Sequence, residues 1–348
     1  MTKKKLKGVS LFSSIGIGDL MLPNNFEIVL ANEIMGDRCR FFQHTHPNAK
    51  VVCGDIQDPK VFNQLIQESK ELGIDFVIAT PPCQSMSNAN RIRKEDDERT
   101  NLILDALAYI GEIQPKFVLI ENVPEMAKTK IKGMTIPEII KALLEPLGYQ
   151  IKYDILNAEN YGVPQSRKRV FFLINRVGSW DFPKKSTKKI TIKQAIDHLP
   201  SLEAGEDSGI PWHYAKEHRA DHIVCFQHTP PGKSALENKK YYPKKPDGTR
   251  VKAFLTSYKR MDPNKPAATI TMKNSTITSQ NNVHYGRLKK DGTYSDARVL
   301  TIRELLILMT IPLSWDVPSW ASDNFVREMI GEAVPPLLIK KIFSELKL

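Results

Sequence analysis

Pro81-Pro82-Cys83-Gln84 follows the apolar run at residues 76–79 directly. Two consecutive prolines stiffen the chain there, so the thiol of Cys83 is presented on a rigid turn just past a strand-like segment. A second apolar run, residues 117–120, ends the same way in Glu121-Asn122-Val123. In an open parallel sheet, catalytic and ligand groups collect beyond the carboxyl ends of the strands. A nucleophile and an acid are therefore expected to face each other across neighbouring strand ends. That pairing suits attack on an electron-poor ring: the thiolate adds, and the carboxyl group protonates the ring as charge develops. A free thiol titrates near pH ~8.5, and no histidine adjoins Cys83 in sequence. Activation is expected instead from nearby arginines and the N-terminus of the following helix.

Gln165-Ser166-Arg167-Lys168-Arg169 precedes the apolar residues 170–173. Alternation on an extended segment puts Arg167 and Arg169 on one face and Lys168 on the other. Two fixed guanidinium groups can grip a phosphate and a base carbonyl. The competing reading is an exposed basic edge.

Phe12-Ser13-Ser14-Ile15-Gly16-Ile17-Gly18-Asp19 follows the first strand candidate. Small residues there allow a tight turn and close approach of backbone N–H groups to a ligand. Glu33 follows the second strand, placed for ribose hydroxyls, and Asp55 follows the third, placed for an exocyclic amine. Either acid alone reads better as a surface loop carboxylate. In series with the glycine turn, they point to a nucleoside-bearing cofactor. The full dinucleotide pattern G-x-G-x-x-G is missing, and so is a phosphate loop with Lys-Ser/Thr. A nucleoside without a pyrophosphate, such as S-adenosylmethionine, is expected, and a nicotinamide-dependent oxidoreductase is disfavoured.

These groups need a scaffold, and the first half of the chain supplies its pattern. Strand-like runs at 9–12, 26–31, 49–53, 76–79, 117–120, 149–156 and 170–174 alternate with helix-like stretches at 59–72, 100–113 and 136–147. This predicts a doubly wound, mostly parallel α/β domain. After about residue 180 periodicity fades and Pro, Lys, Gly and Asn rise, which predicts an irregular region of turns and short strands. Residues 301–309 read as a helix capped by Thr301 with Glu304 three residues on, and 334–346 as a closing helix. The division expected is 1–180 plus 323–348 for the first domain and 181–322 for a second.

The formal net charge of +11 is localised: residues 231–290 carry 14 Lys/Arg against three Asp/Glu, and the remainder is balanced. Such an excess is the footprint of a polyanion partner, the alternative being a solvated surface. No apolar run approaches the roughly 20 residues of a membrane helix, and the basic start leads straight into a strand, so no signal peptide is read. Cys39, Cys53, Cys83 and Cys225 include no C-x-x-C pair, which argues against a disulfide scaffold and for a reducing, cytoplasmic setting. His213, His218, His222, Cys225 and His228 match no compact zinc spacing, and no metal is expected.

Taken together, these residues resemble the DNA (cytosine-5)-methyltransferases of the bacterial restriction–modification type, over nearly the whole chain and in the family's order. The segments alike are the turn from Phe12 to Gly18, Glu33, Asp55, Pro82-Cys83, Glu121-Asn122-Val123 and Gln165-x-Arg167-x-Arg169. Arg298-x-Leu300-Thr301-x-Arg303-Glu304 with Pro312, and Gly331-x-Ala333-Val334-Pro335-Pro336, complete the series. Ser14 and Ile17 stand where the family usually has glycine, and Glu332 where it usually has asparagine.

The resemblance implies a Rossmann-like methyltransferase domain with a smaller target-recognition domain. It implies transfer of a methyl group from S-adenosylmethionine to C5 of a flipped-out cytosine in double-stranded DNA, through a covalent Cys83–C6 adduct. The implied catalytic set is Cys83, Glu121, Arg167 and Arg169. The implied cofactor set is Phe12, Ser13, Ser14, Ile15, Gly16, Glu33, Ile34, Asp55, Ile56, Pro81, Glu332, Ala333 and Val334. Gln84, Ser85, Ser87, Arg99, Asn122, Gln165, Arg260 and Thr269 are implied to contact DNA, and the loop 85–99 to close over the base. A monomer is expected, with a cognate restriction endonuclease as a further partner. An RNA-directed relative of the same family would share the catalytic residues, although its typical Cys-Phe-Thr motif is missing. A catalytically silent DNA-binding member is the other alternative, which the intact catalytic residues disfavour.

Overall fold

The structure is a computed structural model that describes residues 5–82 and 102–348. Cys83, Gln84, Ser85, Ser87 and Arg99 lie outside the described residues, as does the loop 85–99.

The chain divides into two compact units. The first comprises Met1–Asn157, Lys168–Lys185 and Leu338–Leu348; the second comprises Ala158–Arg167 and Ser186–Leu337. Relative to the sequence-based division, 158–167 and 323–337 belong to the second unit and 181–185 to the first. The periodicity that marks a strand or helix carries no mark of which core that element joins.

The first unit is built on a seven-stranded sheet. Its strands are β1 (Leu6–Leu11), β2 (Phe26–Glu33), β3 (Lys50–Cys53), β4 (Phe76–Ala79), β5 (Phe117–Asn122), β8 (Gln150–Asn157) and β9 (Lys168–Asn175). A small hairpin, β6 (Lys130–Ile131) with β7 (Met134–Thr135), stands apart. The order is β3-β2-β1-β4-β5-β9-β8. β1 to β5 pair in parallel, while β9 runs antiparallel to both β5 and β8. This is the mostly parallel, doubly wound α/β architecture expected from the sequence. Every residue of β4 and β5 is buried, as expected for central parallel strands covered on both faces. The chain leaves β1 toward β2 and β3 on one side and resumes at β4 on the other. The carboxyl ends of β1 and β4 therefore form the topological switch point, where ligands of such sheets bind.

Four helices follow these strands: α1 (Gly36–Thr45), α2 (Pro59–Leu72), α3 (Leu102–Ile113) and α4 (Ile136–Leu144). Local chemistry sets their ends. Asp58 caps α2 by accepting from the Lys60 amide, Pro59 occupies its first turn, and Gly73 closes it in the left-handed region at φ 68°. Thr135 and Glu138 form a reciprocal capping box on α4. Leu65, Ile103, Leu107, Ile110, Ile136 and Ile140 bury against Val77, Val118, Ile120 and Phe172 of the sheet. At the chain's end, Trp180 of β10 (Ser179–Trp180) donates its indole N–H to the Ile342 carbonyl. That carbonyl belongs to the last helix, which spans Pro336–Ser344.

One expectation about cysteine is corrected. Cys39 and Cys53 are joined in a disulfide with Cα atoms 6.0 Å apart. The parallel register sets Cys53 level with Glu33, and α1 folds back from the end of β2. Two cysteines 14 residues apart thus meet by tertiary folding, with no local motif to announce it.

The second unit holds four short helices: α5 (Ile192–Ile196), α6 (Ala220–Gln227), α7 (Ile302–Met309) and α8 (Asp323–Glu332). The remainder is short 3-10 helical turns at Ala158–Tyr161 and Ala235–Glu237, other turns and isolated bridges. Its centre is charged. Arg298 pairs with Asp296 at 2.9 Å and with both oxygens of Glu304 at 2.9 and 3.0 Å, all fully or nearly fully buried. Glu304 also completes the capping box with Thr301, as the sequence indicated. Burial opposes ionisation of Glu304, but Arg298 outweighs it and holds the carboxyl well below its usual range.

His284 lies in the same cluster. Its Nδ1 accepts from the Gly286 amide, and burial pushes its pKa from 6.5 down to about 4. His218 is likewise lowered to about 4, by burial and then Lys216. Between about pH 6.5 and 4 the unfolded chain binds these protons and the fold does not, so stability falls as pH drops through that window. The melting temperature is expected to decline steadily from about pH 6.5 to about pH 4.5. His284→Asn, which keeps an acceptor for Gly286, should make the decline shallower; an unchanged slope would remove His284 from the account.

Candidate active site

The carboxyl edge of the sheet gathers three groups in the first unit. The turn after β1 is the most strained. Phe12, Ser14 and Gly16 all have positive φ, at 57°, 48° and 76°, and each left-handed non-glycine residue costs about 1–2 kcal/mol. Groups from elsewhere in the chain hold this shape. The Ser13 amide donates to the Asn32 carbonyl at 3.0 Å. The Ser14 amide donates to Glu33 Oε2 at 2.9 Å, while Glu33 Oε1 accepts from the amides of Ile34 and Met35, both at 3.0 Å. His46 brings its ring nitrogen Nε2 within 2.9 Å of the Gly16 carbonyl and stacks on Phe42 at 4.6 Å. A Cβ on Gly16 would lie 2.4 Å from that ring, so glycine is required for space as well as conformation. Ser14, which replaces a customary glycine, adopts the left-handed region under the pull of Glu33.

Around this turn, Ile34 and Met35 expose 61% and 51% of their surface, an apolar step at the end of β2. Asp55 is exposed after β3, and its Oδ1 accepts from the Gln57 amide. Of the expected cofactor contacts, Ile15 is buried, and Ile56 packs into the core beneath the sheet edge. Hydrophobic residues after a strand are ambiguous in sequence, because the turn decides which way they face.

The second group is the Pro81-Pro82 turn. Thr80 Oγ1 donates to the Phe12 carbonyl at 3.1 Å, and Asn122 Nδ2 donates to the Pro81 carbonyl at 2.9 Å. These two bonds strap the ends of β1, β4 and β5 together. Asn122 is 3% exposed and accepts from the Val123 amide through its own oxygen. It is therefore a strut under the Pro81 turn.

The third group is an ion pair. Glu121 Oε1 lies 3.0 Å from Arg169 Nε, with both side chains largely buried. The antiparallel course of β9 causes this meeting: residues at its start lie beside the end of β5, with Val170 opposite Asn122. Arg169 and Glu121 thus come together at the carboxyl edge.

The other expected residues lie in the second unit, where several have different tasks. Arg167 is 2% exposed, and it donates to the carbonyls of Ile270 and Glu332, both at 2.9 Å. It is a staple inside this unit. Gln165 is fully buried: it donates to Met309 Sδ and accepts from the Ile270 amide. The Thr269 hydroxyl donates to the Ser166 carbonyl at 2.7 Å. Gly331 presses on Thr271, whose carbonyl oxygen would lie 2.2 Å from any Cβ there. Glu332, Ala333 and Val334 end α8 in this unit.

Arg260 is corrected most sharply. It is fully buried, and its guanidinium donates to the carbonyls of Phe226, His284, Ser295 and Asp296. No donor is left to reach a phosphate. The histidines have similar internal or surface roles: His213 meets the Ser208 hydroxyl, His218 accepts from the Val299 amide, and His228 stacks on Tyr241. Among the described residues no group of three or more His, Cys, Asp or Glu side chains is placed to hold a metal. None of their helices is long and apolar enough to cross a membrane.

His46, Thr80 and Met35 stand at this edge of the sheet without having been singled out from the sequence. Met35 adjoins Glu33-Ile34 and was within reach of a pattern argument. His46 and Thr80 act on carbonyls 30 and 68 residues away in sequence, which no local signal reveals.

A sheet of this order, with a strained glycine turn after the first strand, acids after the second and third, and a Glu–Arg pair at the fifth, is the frame of a Rossmann-like methyltransferase. The chain belongs to the C-5 cytosine-specific DNA methylase family, whose model matches residues 6–348. It is 42% identical to the Type II methyltransferase M1.HgaI of Avibacterium volantium, over 99% of both chains. It is 30% identical to the Type II methyltransferase M1.HphI of Haemophilus parahaemolyticus, over 96% of this chain and 84% of that one. Its fold is like that of a prophage-encoded E. coli protein described as a DNA modification methyltransferase. The TM-score there is 0.72 at 20% identity, covering 98% of each chain.

The burial of Arg260 gives a direct test. Arg260→Met strands four buried carbonyls and is expected to cost about 3 kcal/mol or more in urea unfolding. An unchanged urea midpoint with weakened DNA binding would return Arg260 to the surface.

Proposed function

We propose that this protein methylates C5 of cytosine in double-stranded DNA, with Cys83 as nucleophile and S-adenosylmethionine as methyl donor. The observation that supports this best is the Glu121–Arg169 pair at the end of β5, beside the Pro81 turn that Asn122 fixes. A carboxyl group and a guanidinium 3.0 Å apart match the edge of cytosine: the carboxyl meets N3 and the exocyclic amine, and the guanidinium meets the ring carbonyl.

In this reading the target base leaves the duplex stack, because its C6 is inaccessible there. The thiolate of Cys83 adds to C6 and forms a C–S bond. Glu121 donates a hydrogen bond at N3 and stabilises the electron pair displaced onto the ring, while Arg169 holds the carbonyl oxygen. C5 thereby becomes nucleophilic. S-adenosylmethionine, when bound, supplies the electrophilic methyl group for this carbon. A base then removes the C5 proton, the electron pair reforms the ring double bond, and Cys83 leaves as thiolate.

The residues beyond β1 to β3 suit that donor. Glu33 is fixed by three amides, with one lone pair of Oε2 left for a ribose hydroxyl. Ile34 and Met35 offer an apolar face for adenine, and exposed Asp55 an acceptor for its amine. A monomeric enzyme with a cognate restriction endonuclease in its host completes the proposal.

Two experiments test it. Tritiated methyl transfer from S-adenosylmethionine to mixed-sequence DNA, read with bisulfite sequencing, is expected to label cytosine C5 with the wild type. Cys83→Ser should abolish it, and Glu121→Gln should lower it by about 10²–10⁴-fold. Label in Cys83→Ser, or transfer to RNA alone, would defeat the reading. Separately, Glu33→Gln places an amide donor against backbone donors. The rise in melting temperature that S-adenosylmethionine gives the wild type should then need about tenfold more ligand. An unchanged dose dependence would remove Glu33 from the cofactor site.

A further inference from the structure

The hairpin of β6 and β7 lies between the end of β5 and the start of α4. β5 and β8 both run antiparallel to β9, so they run the same way. α4 must therefore carry the chain back from the carboxyl edge of the sheet to the start of β8. The hairpin stands at the edge that holds Glu121. Residues 124–137 carry three lysines, Lys128, Lys130 and Lys132, against one acid, Glu125. All three lysines are exposed.

Their backbone is fixed. A 3-10 turn over Pro124–Lys128 buries Met126 in the core of the first unit. The Thr129 amide donates to the carbonyls of Glu125 and Met126, and the Thr129 hydroxyl donates to the Glu125 carbonyl as well. Ile131 packs against the same core, which turns its neighbour Lys130 outward. Lys132 and Gly133 join the two strands with φ 48° and 85°, the left-handed pair that a tight two-residue hairpin turn requires. The Ile136 amide closes the base of the hairpin on the Thr129 carbonyl.

We propose that Lys128, Lys130 and Lys132 grip the DNA backbone beside the target nucleotide, on the phosphates that flank the base held by Glu121. This rests on the proposed action on cytosine and names residues that place its DNA.

Three ammonium groups on a rigid hairpin repel one another unless anions lie between them. Among the described residues none of the three forms an ion pair with an acid of this chain. Glu138, the acid that Lys130 acts on, is itself capped by the Thr135 amide and hydroxyl. The charge is thus available to a polyanion. Position selects which part of it. A base that reaches Glu121 turns out about its own backbone and brings its phosphates to this edge. The five-residue 3-10 turn rises about 10 Å, which corresponds to about three nucleotide steps of 3.4 Å along one strand. Lysine meets phosphate as a point charge and reads no base edge. The group therefore positions the strand and leaves sequence choice to other residues. It is hidden in the overall charge, because the chain outside residues 231–290 is balanced.

The test uses the full chain. Lys128→Gln/Lys130→Gln/Lys132→Gln is compared with the wild type and with Lys128→Arg/Lys130→Arg/Lys132→Arg, which keeps the charge. Lys70→Gln/Lys141→Gln, in the last turns of α2 and α4, is the control for loss of charge elsewhere. Methyl transfer mapped by bisulfite sequencing in the wild type is the control on the underlying reading; if it fails, that reading falls and this proposal with it. With transfer intact, the glutamine triple should raise KM for DNA about tenfold and reduce the slope of log K against log salt by about 2–3. Its kcat, site choice and response to S-adenosylmethionine should match the wild type. The arginine triple and the Lys70/Lys141 variant should keep the wild-type slope. Neutral methylphosphonate linkages within about three nucleotides of the mapped cytosine should weaken binding by the wild type and cost the glutamine triple nothing further. Wild-type KM and slope in the glutamine triple would overturn the proposal. An equal loss in the Lys70/Lys141 variant, or the same methylphosphonate penalty in both proteins, would overturn it by making the effect a general field. An arginine triple as weak as the glutamine one would overturn it by assigning the loss to the hairpin's fold.

Discussion

The antiparallel pairing of β9 with β5 decides which groups the carboxyl edge of the sheet can contain. A parallel strand delivers to that edge only the residues on its C-terminal side. A strand entering in the opposite direction delivers those on its N-terminal side, and here that brings in Arg169. Glu121 at the end of β5 and Arg169 at the start of β9 therefore meet at 3.0 Å although 48 residues separate them. The pair is rigid because its two strands are among the most buried of the molecule. Asn122, one residue on from Glu121, carries the same rigidity sideways to the Pro81 turn, and Thr80 carries it on to the turn after β1.

That first turn shows how a strained backbone persists. Glu33, Asn32 and His46, each from outside the turn, take up its amides and a carbonyl. Strain of this kind survives only where the surroundings over-determine it. The bond from the Ser14 amide to Glu33 holds the backbone in that conformation.

The second unit solves a different problem. A chain with few regular elements leaves many buried carbonyls without the ladder partners that helices and sheets supply. Arg167, Arg260, Arg298 and Arg327 are among its largest fully buried side chains, and their guanidinium groups donate to carbonyls of Ile270, Phe226, Leu202 and Leu300 among others. Arginine here replaces secondary structure. Part of the basic excess between residues 231 and 290 is thus internal, and the charge left for a polyanion is mainly lysine.

The sequence by itself determined the α/β class, most strands, the cap of α7, and the placing of Pro81, Glu121 and Arg169 at strand ends. Hydrophobic period, turn chemistry and capping act over a few residues, so they are written locally. Only the tertiary structure decided that Arg167, Gln165, Asn122 and Arg260 face inward, that Cys39 meets Cys53, and that His46 reaches Gly16. A guanidinium that staples carbonyls and one that awaits a phosphate have the same sequence signature. Burial separates them, and burial is a property of elements packed together from distant parts of the chain.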